Sequence, residues 1–293
     1  MTTPTLLYAY AIAAPPAAAA GLAALLQGVS GIDDSAVTLV RDDAAGAALG
    51  IAVLVSAVDA ATYAPAHVES RVGELAWLAP RAEAHDRVIT AAADTVPVIP
   101  LPIFSLFRDE RAVRAMLAER RAELQRLFEQ LRGAREYTVR LYRDDVRLSA
   151  SLAQLSPRVG DLERSVAGAS PGQRYLLERK LDEERRAELK RVSREVAQHT
   201  FSALESRARA SVREPVPAPV AGADDRAASH VQPAILNASF LVDDARLDEF
   251  RRALSAVIAA REAMGFRVEF TGPWPAYHFA REQSATGDGS RHG

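Results

Sequence analysis

A helical stretch of about 40 residues, from Pro171 to about Arg213, constrains the fold of this chain more than any other feature of its sequence. Apolar residues recur along it near helical spacing, and mixed acidic and basic residues fill the other positions, as is usual for a solvated helix face. At 1.5 Å per residue such a helix is roughly 60 Å long, which exceeds the width of a small domain. We therefore expect it to project beyond its domain or to form a helical hairpin, and to offer a surface to a partner helix.

Short strands and helices alternate over the rest of the chain. Period-two alternation and short apolar runs predict strands at residues 6–12, 37–40, 50–58, 136–143, 235–242 and 266–270, with an extended segment at 96–102. Helical periodicity predicts helices at residues 16–27, 65–79, 81–93, 109–132, 144–167, 171–213 and 243–264. The prolines of the extended segment restrict it to a sheet edge or to a linker in polyproline conformation.

The order of these elements, β-α-β-β followed by β-β-α-β, predicts an α+β fold with two domains. We expect ferredoxin-like β-α-β sheets with helices packed on one face, together with a long helical segment that resembles a hairpin or coiled coil. The length of 293 residues also suits two domains. We place an N-terminal α+β domain at residues 1–105, a C-terminal α+β domain with long helices at residues 106–280, and a disordered polar tail at residues 281–293.

Composition and charge exclude several kinds of site. The chain has no cysteine, so it forms no disulfide, thiolate nucleophile or cysteine-based zinc site. Its net charge is −2, from 36 basic and 38 acidic residues, without the basic excess of a nucleic-acid-binding protein. Pro15, Pro16 and Gly21 interrupt the apolar stretch near the N-terminus, which argues against a membrane helix or a signal peptide. We therefore expect a cytoplasmic protein that binds neither nucleic acid nor membrane.

One short motif matches a catalytic pattern. Residues 168–172 read Gly-Ala-Ser-Pro-Gly, the G-x-S-x-G of a nucleophile elbow, in which Ser170 would be the nucleophile. That elbow needs a buried strand before the serine, whereas the preceding residues are polar and helix-like. The favoured interpretation makes Ser170 the N-cap of the long helix, with Pro171 at the first helical position and Gln173 completing a capping box. The histidines and paired aspartates lack metal-ligand spacing, so we expect no enzyme activity and no cofactor.

The stretch after the last predicted strand is rich in aromatic residues and proline. Pro273 and Pro275 restrict the backbone on either side of Trp274, and Tyr277 and Phe279 follow. Burial of these rings would make the segment a structural clasp, with Trp274 folded back on the sheet. The alternative interpretation is an aromatic contact site for a partner protein. The residues alone leave both interpretations open, with the clasp favoured.

The same stretch resembles the C-terminal signature of the gas vesicle L/F protein family. Other family-like motifs occur in the family's order along the chain. The stretches that carry the resemblance are Leu7–Tyr10, Val98–Phe104, Glu136–Val139, Gly172–Leu176, Asn237–Val242 and Thr271–Phe279. Together they span residues 6 to 279, and their shared order makes the resemblance fairly specific.

The resemblance implies a protein with a ferredoxin-like part and a helical part that forms or lines gas vesicles. It implies contact with the small hydrophobic shell protein and with other accessory proteins, in the cytoplasm and at the gas vesicle. It also implies no catalysis and no cofactor. The candidate residues for partner binding, or for the structural clasp, are Pro273, Trp274, Pro275, Tyr277, Phe279, Tyr175 and Leu176.

Two other functions are left open. One is a scaffold that joins accessory proteins without touching the shell. The other is a hydrolase that uses Ser170 as its nucleophile. The motifs are common to L-type and F-type proteins, and they assign neither that role nor an oligomeric state.

Overall fold

Two four-stranded sheets, each with its own helices, make up the computed structural model of this protein. The structure describes residues 4–14, 19–42, 50–216, 234–259 and 261–280. The strands are β1 (Thr5–Ala13), β2 (Thr38–Arg41), β3 (Ala52–Asp59), β4 (Val98–Phe107), β5 (Ala134–Arg143), β6 (Ala210–Arg213), β7 (Ala234–Asp243) and β8 (Phe266–Trp274). The α-helices are α1 (Ala19–Leu26), α2 (Pro65–Arg71), α3 (Leu75–Ala93), α4 (Glu110–Glu119), α5 (Arg121–Leu131), α6 (Asp145–Leu155), α7 (Pro157–Ala167), α8 (Pro171–Glu205) and α9 (Leu247–Ala259).

The two sheets share one topology. The first has the strand order β2-β3-β1-β4 and the second β6-β7-β5-β8, so both read 2-3-1-4 when the strands of each sheet are numbered from one. In each set the chain order is β-α-β-β-α-β, the ferredoxin-like arrangement, with one or more helices in each α position. β1 runs antiparallel to β3 and β4, and β2 runs antiparallel to β3. The predicted α+β fold class is confirmed.

The chain divides into two compact units. The first unit is Met1–Arg135 with Pro273–Gly293, and the second unit is Glu136–Gly272. Helices α4 and α5 and the segment after Gly272 therefore belong to the first unit. The predicted domain ranges, 1–105 and 106–280, assign these parts to the second domain instead.

The sheet of the first unit is covered on both faces. Tyr8 and Tyr10 of β1 point to a core that contains Val88 of α3 and residues of α1. Residues of the opposite parity, such as Ala9 and Val53, are also fully buried, and α4 and α5 contact strands β2 and β4. The expectation of helices on one face only is therefore wrong for this unit, because strands that are apolar on both faces need a second layer to exclude water.

The sheet of the second unit has one apolar and one polar face. Val139 of β5 and Phe240 of β7 belong to a core that α6, α7, α8 and α9 complete. Most of the alternate residues of β5 and β7 are polar, and the hydroxyls of Thr138 and Ser239 lie 3.3 Å apart. The alternation that predicted a half-buried strand at residues 136–143 is thereby confirmed.

The long helix is present, although it is shorter than predicted. α8 runs for 35 residues, which corresponds to roughly 50 Å. The predicted continuation to Arg213 is wrong, because Ala210–Arg213 form β6 and pair with β7. Helix α7 packs against α8, and an ion pair of 2.8 Å between Glu163 and Arg185 joins the two. The expected helical hairpin is therefore formed.

Local capping signals set the helix boundaries after β4. Asp109 is the N-cap of α4, as predicted, and its carboxylate accepts a hydrogen bond from the N–H of Ala112 at 2.8 Å. The predicted single helix at residues 109–132 is broken at Arg120, where φ and ψ of −95° and 6° separate α4 from α5. Gly133 follows α5 with φ of 65°, as expected of the glycine that ends a helix.

The proline-containing strand β4 lies at an edge of the first sheet, one of the two positions that its prolines predicted. Three other predictions fall wholly or partly on residues that the structure does not describe. They are the start of the helix at residues 16–27, the connection after Pro215, and the tail at residues 281–293.

Candidate partner-binding surfaces

The first turns of α8 carry two exposed apolar side chains. Tyr175 and Leu176 are each 68% exposed, and Leu181 is the first residue of α8 that is buried in the core. Ser170 is the N-cap and Pro171 the first helical residue, a position where the missing proline N–H costs no intrahelical hydrogen bond. The start of α8 is therefore helical without being part of the core, and its side chains can meet a partner.

The end of the aromatic segment is held in the first unit. Phe279 is 2% exposed. Tyr277 packs against the core of this unit, and its hydroxyl donates to Oδ1 of Asp86 at 2.8 Å. Burial of one ring and hydrogen bonding of the other give these two residues the contacts expected of a structural clasp.

Trp274 is the more accessible part of the aromatic segment. Its side chain is 44% exposed, so it is folded back on the sheet less completely than expected. Of the two flanking prolines, Pro273 is exposed and Pro275 is buried. Gly272 has φ of 119°, and a Cβ there would lie 2.9 Å from the carbonyl oxygen of Glu136. Only glycine therefore lets β8 approach β5 this closely.

The structure distributes the candidate residues over two groups. Tyr175 and Leu176 belong to the second unit, whereas the segment from Pro273 belongs to the first. Each group is therefore a surface of its own unit. The pair on α8 is the more exposed of the two.

Two family-like motifs of the first unit, Leu7–Tyr10 and Val98–Phe104, meet in a buried hydrogen-bond network. The Tyr8 hydroxyl lies 2.8 Å from Nδ1 of His85, and Nε2 of His85 lies 3.1 Å from the carbonyl oxygen of Leu101. Because a carbonyl only accepts, Nε2 carries the proton and Tyr8 donates to Nδ1. Burial lowers the pKa of His85 to about 4, which keeps the ring neutral near pH 7. These motifs build the core of the unit.

The second tyrosine of the opening strand has partners of the same kind. The Tyr10 hydroxyl donates to Oγ of Ser56 at 2.9 Å and accepts from the N–H of Ile32 at 2.8 Å. Burial raises the pKa of Tyr10. A Cβ on Gly31 would lie 2.7 Å from the same Oγ, so this network also needs glycine at residue 31. The strand was predicted from the sequence, but these partners were not, because they come from other elements of the fold.

Comparison with known proteins decides the family. The model of the gas vesicle synthesis protein GvpL/GvpF family matches residues 6–281. The chain belongs to this family. Gas vesicle protein L of a Streptomyces species is 30% identical over 282 residues, which cover 96% of this chain and 94% of that protein. Gas vesicle protein L2 of Halobacterium salinarum is 29% identical over 259 residues, which cover 86% and 84% of the two proteins.

Solved structures of gas vesicle proteins have a similar fold. The crystal structure of GvpF from an Anabaena species matches with a TM-score of 0.64 at 19% identity, over 94% of this chain and 98% of that chain. GvpF from Microcystis aeruginosa matches with a TM-score of 0.57 at 18% identity, over 95% and 99% of the two chains. Membership of the GvpL/GvpF family makes this a gas vesicle protein involved in gas vesicle formation, as the resemblance implied.

Ser170 does not lie in a nucleophile elbow in this GvpL/GvpF protein. Helix α7 precedes it and α8 follows it, so a helix occupies the place of the buried strand that the elbow requires. The predicted N-cap position is confirmed, but the expected capping-box hydrogen bond from the Ser170 side chain to a helix N–H is not formed. The Ser170 hydroxyl instead donates to Oε1 of Gln173 at 3.0 Å.

Two further exposed apolar residues were not predicted from the sequence. Val146 is 82% exposed and Leu75 is 76% exposed. They lie at the starts of α6 and α3, respectively. An apolar residue near the start of a predicted helix looks like part of its core-facing stripe. Only the folded GvpL/GvpF chain shows that these two side chains point to solvent.

The described residues contain no group of three or more histidine, aspartate or glutamate side chains that could hold a metal ion. His85, whose two ring nitrogens bond to Tyr8 and Leu101, belongs to the core network. In the same described part of the chain, no helix combines the length and apolarity needed to cross a bilayer.

Proposed function

We propose that this GvpL/GvpF protein is a non-enzymatic assembly or minor structural protein of the gas vesicle. In this role it binds the small hydrophobic shell protein and other accessory proteins in the cytoplasm during vesicle formation. The observation that carries the proposal is the exposure of Tyr175 and Leu176, two large side chains next to each other at the start of α8. Family membership supports partners among gas vesicle proteins.

The exposed apolar side chains of this surface suit an apolar partner. An apolar subunit that is not yet assembled needs a protein that covers its exposed surface. Tyr175 and Leu176 are adjacent in a helix and therefore point about 100° apart, which places both on the outward side. Because the helix holds them rigidly, the contact loses little conformational entropy. Trp274, on the first unit, is a second candidate contact.

The surroundings of Ser170 support the non-enzymatic part of the proposal. A serine nucleophile needs an adjacent general base that takes its proton. The Ser170 hydroxyl is bonded to the side-chain amide oxygen of Gln173, which is too weak a base for that role. We therefore do not propose the hydrolase alternative.

A second candidate function is a scaffold that joins accessory proteins without contacting the shell. The many charged residues of α8 favour it, because a charged helix face suits a polar partner better than an apolar subunit. The two candidates differ in one measurable respect, namely binding of the shell protein.

The test is co-purification of tagged full-length protein with the co-expressed shell protein, at low and at high salt. The test variant is Tyr175→Ser with Leu176→Ser, which removes the exposed apolar pair. The control variant is Val146→Ser, which removes an even more exposed apolar side chain elsewhere on the same unit. Circular dichroism of each variant checks that the fold is unchanged.

We expect shell protein to remain bound at high salt, because apolar contacts are not screened by ions. We further expect the double variant to lose this binding and the control variant to keep it. Absence of binding by the unmodified protein at both salt concentrations would contradict the proposal and favour the scaffold. Equal binding by the double variant would exclude Tyr175 and Leu176 as the contact.

A further inference from the structure

Helix α8 carries a row of unpaired basic residues. Arg186, Lys190 and Arg194 are spaced four residues apart and therefore lie along one side of the helix. All three are exposed, and none of them forms an ion pair with another residue that the structure describes. The row is a local concentration of positive charge on a chain whose net charge is −2.

The acidic residues of α8 do not offset this row, because most of them already have partners. The ion pairs are Arg179–Glu183 at 3.7 Å, Arg158–Glu184 at 3.1 Å, Arg191–Glu188 at 2.8 Å and Arg191–Glu195 at 2.6 Å. Between residues 174 and 194, the basic residues without an ion pair among the described residues are Arg174, Lys180, Arg186, Lys190 and Arg194. In the same stretch of α8, the corresponding acidic residues are Glu178 and Asp182.

The basic row continues the apolar pair of α8 along the same side. Helical spacing places Tyr175 and Leu176 on the side that carries Arg186 and Lys190, opposite the buried Leu181. One turn before the pair, Gly172 has no side chain, and a Cβ there would meet nothing within 4 Å. A partner can therefore lie along this side, with apolar contacts at its start and charge contacts further on.

We propose that this side of α8 binds an acidic helix of another gas vesicle protein. The partner helix presents carboxylates at a spacing of three or four residues, and apolar side chains at the end that meets Tyr175 and Leu176. This inference rests on the proposed function and specifies the chemistry of one partner surface. A second copy of this chain fits poorly, because the same basic row would face itself.

The lysines of the chain make a direct test possible. Lys180 and Lys190 are the only two lysines, and both lie on this helix. Carbodiimide couples an amine to a carboxylate that touches it, without a spacer. Full-length protein is co-expressed in turn with the shell protein and with each accessory protein of the same system, treated with carbodiimide, and analysed by mass spectrometry. We expect cross-links from Lys190 to aspartate or glutamate of one partner helix.

Three double variants separate the contact from general effects of charge. Lys180→Arg with Lys190→Arg keeps the charge but removes the reactive amines, so the cross-links disappear while co-purification persists. Arg186→Glu with Lys190→Glu reverses two charges of the row and is expected to weaken co-purification on the order of tenfold or more. Arg251→Glu with Arg252→Glu makes the same change of charge on α9 of the same unit and is expected to leave binding unchanged.

The outcomes distinguish this inference from the proposed function. If the unmodified protein binds none of the co-expressed proteins, both fail. If it binds the shell protein, but charge reversal on α8 weakens no partner's binding more than charge reversal on α9 does, only the inference is overturned. Cross-links of Lys190 to a second copy of this chain, or binding of the row to a nucleic acid in place of a protein, would also overturn it.

Discussion

The hydroxyl of Tyr8 lies 2.8 Å from Nδ1 of His85, a residue 77 positions further along the chain, and both side chains are buried. This contact joins β1 to α3. The second ring nitrogen of His85 bonds to the carbonyl oxygen of Leu101 in β4. One histidine thus links three elements of the first unit, and its neutral form is the one that fits all its partners.

The buried histidine predicts a stability that depends on pH. The pKa of His85 is about 4 in the folded protein and 6.5 in the unfolded chain. Between these values the unfolded chain binds more protons, so the free energy of unfolding falls as pH falls from about 6.5 to 4. The full loss is on the order of 3 kcal/mol. Urea unfolding of the first unit, measured at pH 7 and at pH 4.5, checks this.

The control for this prediction is His85→Asn, which cannot take up the proton. This variant is expected to be less stable than the unmodified protein at pH 7, because it disturbs the buried hydrogen bonds of His85, and to change less in stability between the two pH values. An equal change in both proteins would assign the acid sensitivity to other groups.

Substitutions in the aromatic segment separate its structural residue from its accessible one. Phe279→Ala is expected to destabilise the first unit by about 3–5 kcal/mol, because it empties a fully packed position. Trp274→Ala is expected to cost less than about 2 kcal/mol, because the ring is partly exposed. Thermal unfolding measures both. Similar losses in the two variants would mean that Trp274 is as much a part of the clasp as Phe279.

Two glycines differ in what a methyl group would meet. Gly265 has φ of 88°, and a Cβ there would lie 2.6 Å from Cβ of Arg147. Gly265→Ala is therefore expected to destabilise the second unit by roughly 2 kcal/mol or more. Gly172→Ala, in the exposed start of α8, is expected to be neutral or to stabilise by up to about 1 kcal/mol. Urea unfolding of both variants tests the difference in sign.

An ion pair with a buried carboxylate predicts a non-additive pair of substitutions. Oδ2 of Asp42 lies 2.5 Å from a guanidinium nitrogen of Arg121, and the Asp42 side chain is almost fully buried. Arg121→Ala removes this charged partner of the buried carboxylate and is expected to cost about 1.5–3 kcal/mol. Asp42→Asn combined with Arg121→Ala is expected to cost less than the sum of the two single substitutions. Additive losses in a double-mutant cycle would contradict this account.

The sequence predicted the long helix better at its start than at its end. Ser170 occupies the N-cap position of α8 without a side-chain capping bond, and Pro171 marks the start of the helix, because its missing N–H costs no intrahelical hydrogen bond there. Ala210–Arg213 were assigned to the same helix because four residues are too few to show a period of two. They form β6 because β7, which follows a long connection, supplies their hydrogen-bond partners.

The candidate contact residues, too, were predicted only in part from the sequence, and the tertiary structure decided the rest. The aromatic segment and the Tyr175-Leu176 pair were visible in the sequence as motifs. Their exposure was not, because burial depends on what packs against a residue and not on its neighbours in the chain. The basic row on α8 was present in the sequence as part of a mixed-charge face. Only side-chain positions show which of its charges are already paired.

The sequence by itself therefore determined the α+β class, most of the helices and strands, the capping residues and the resemblance to the GvpL/GvpF family. These depend on propensity, periodicity and motif order, which act over a few residues or are read directly from the chain. The tertiary structure decided the matching order of the two sheets, the second helical layer of the first unit, and the network around Tyr8 and His85. These depend on contacts between residues that are far apart in the chain, and local interactions do not specify such contacts.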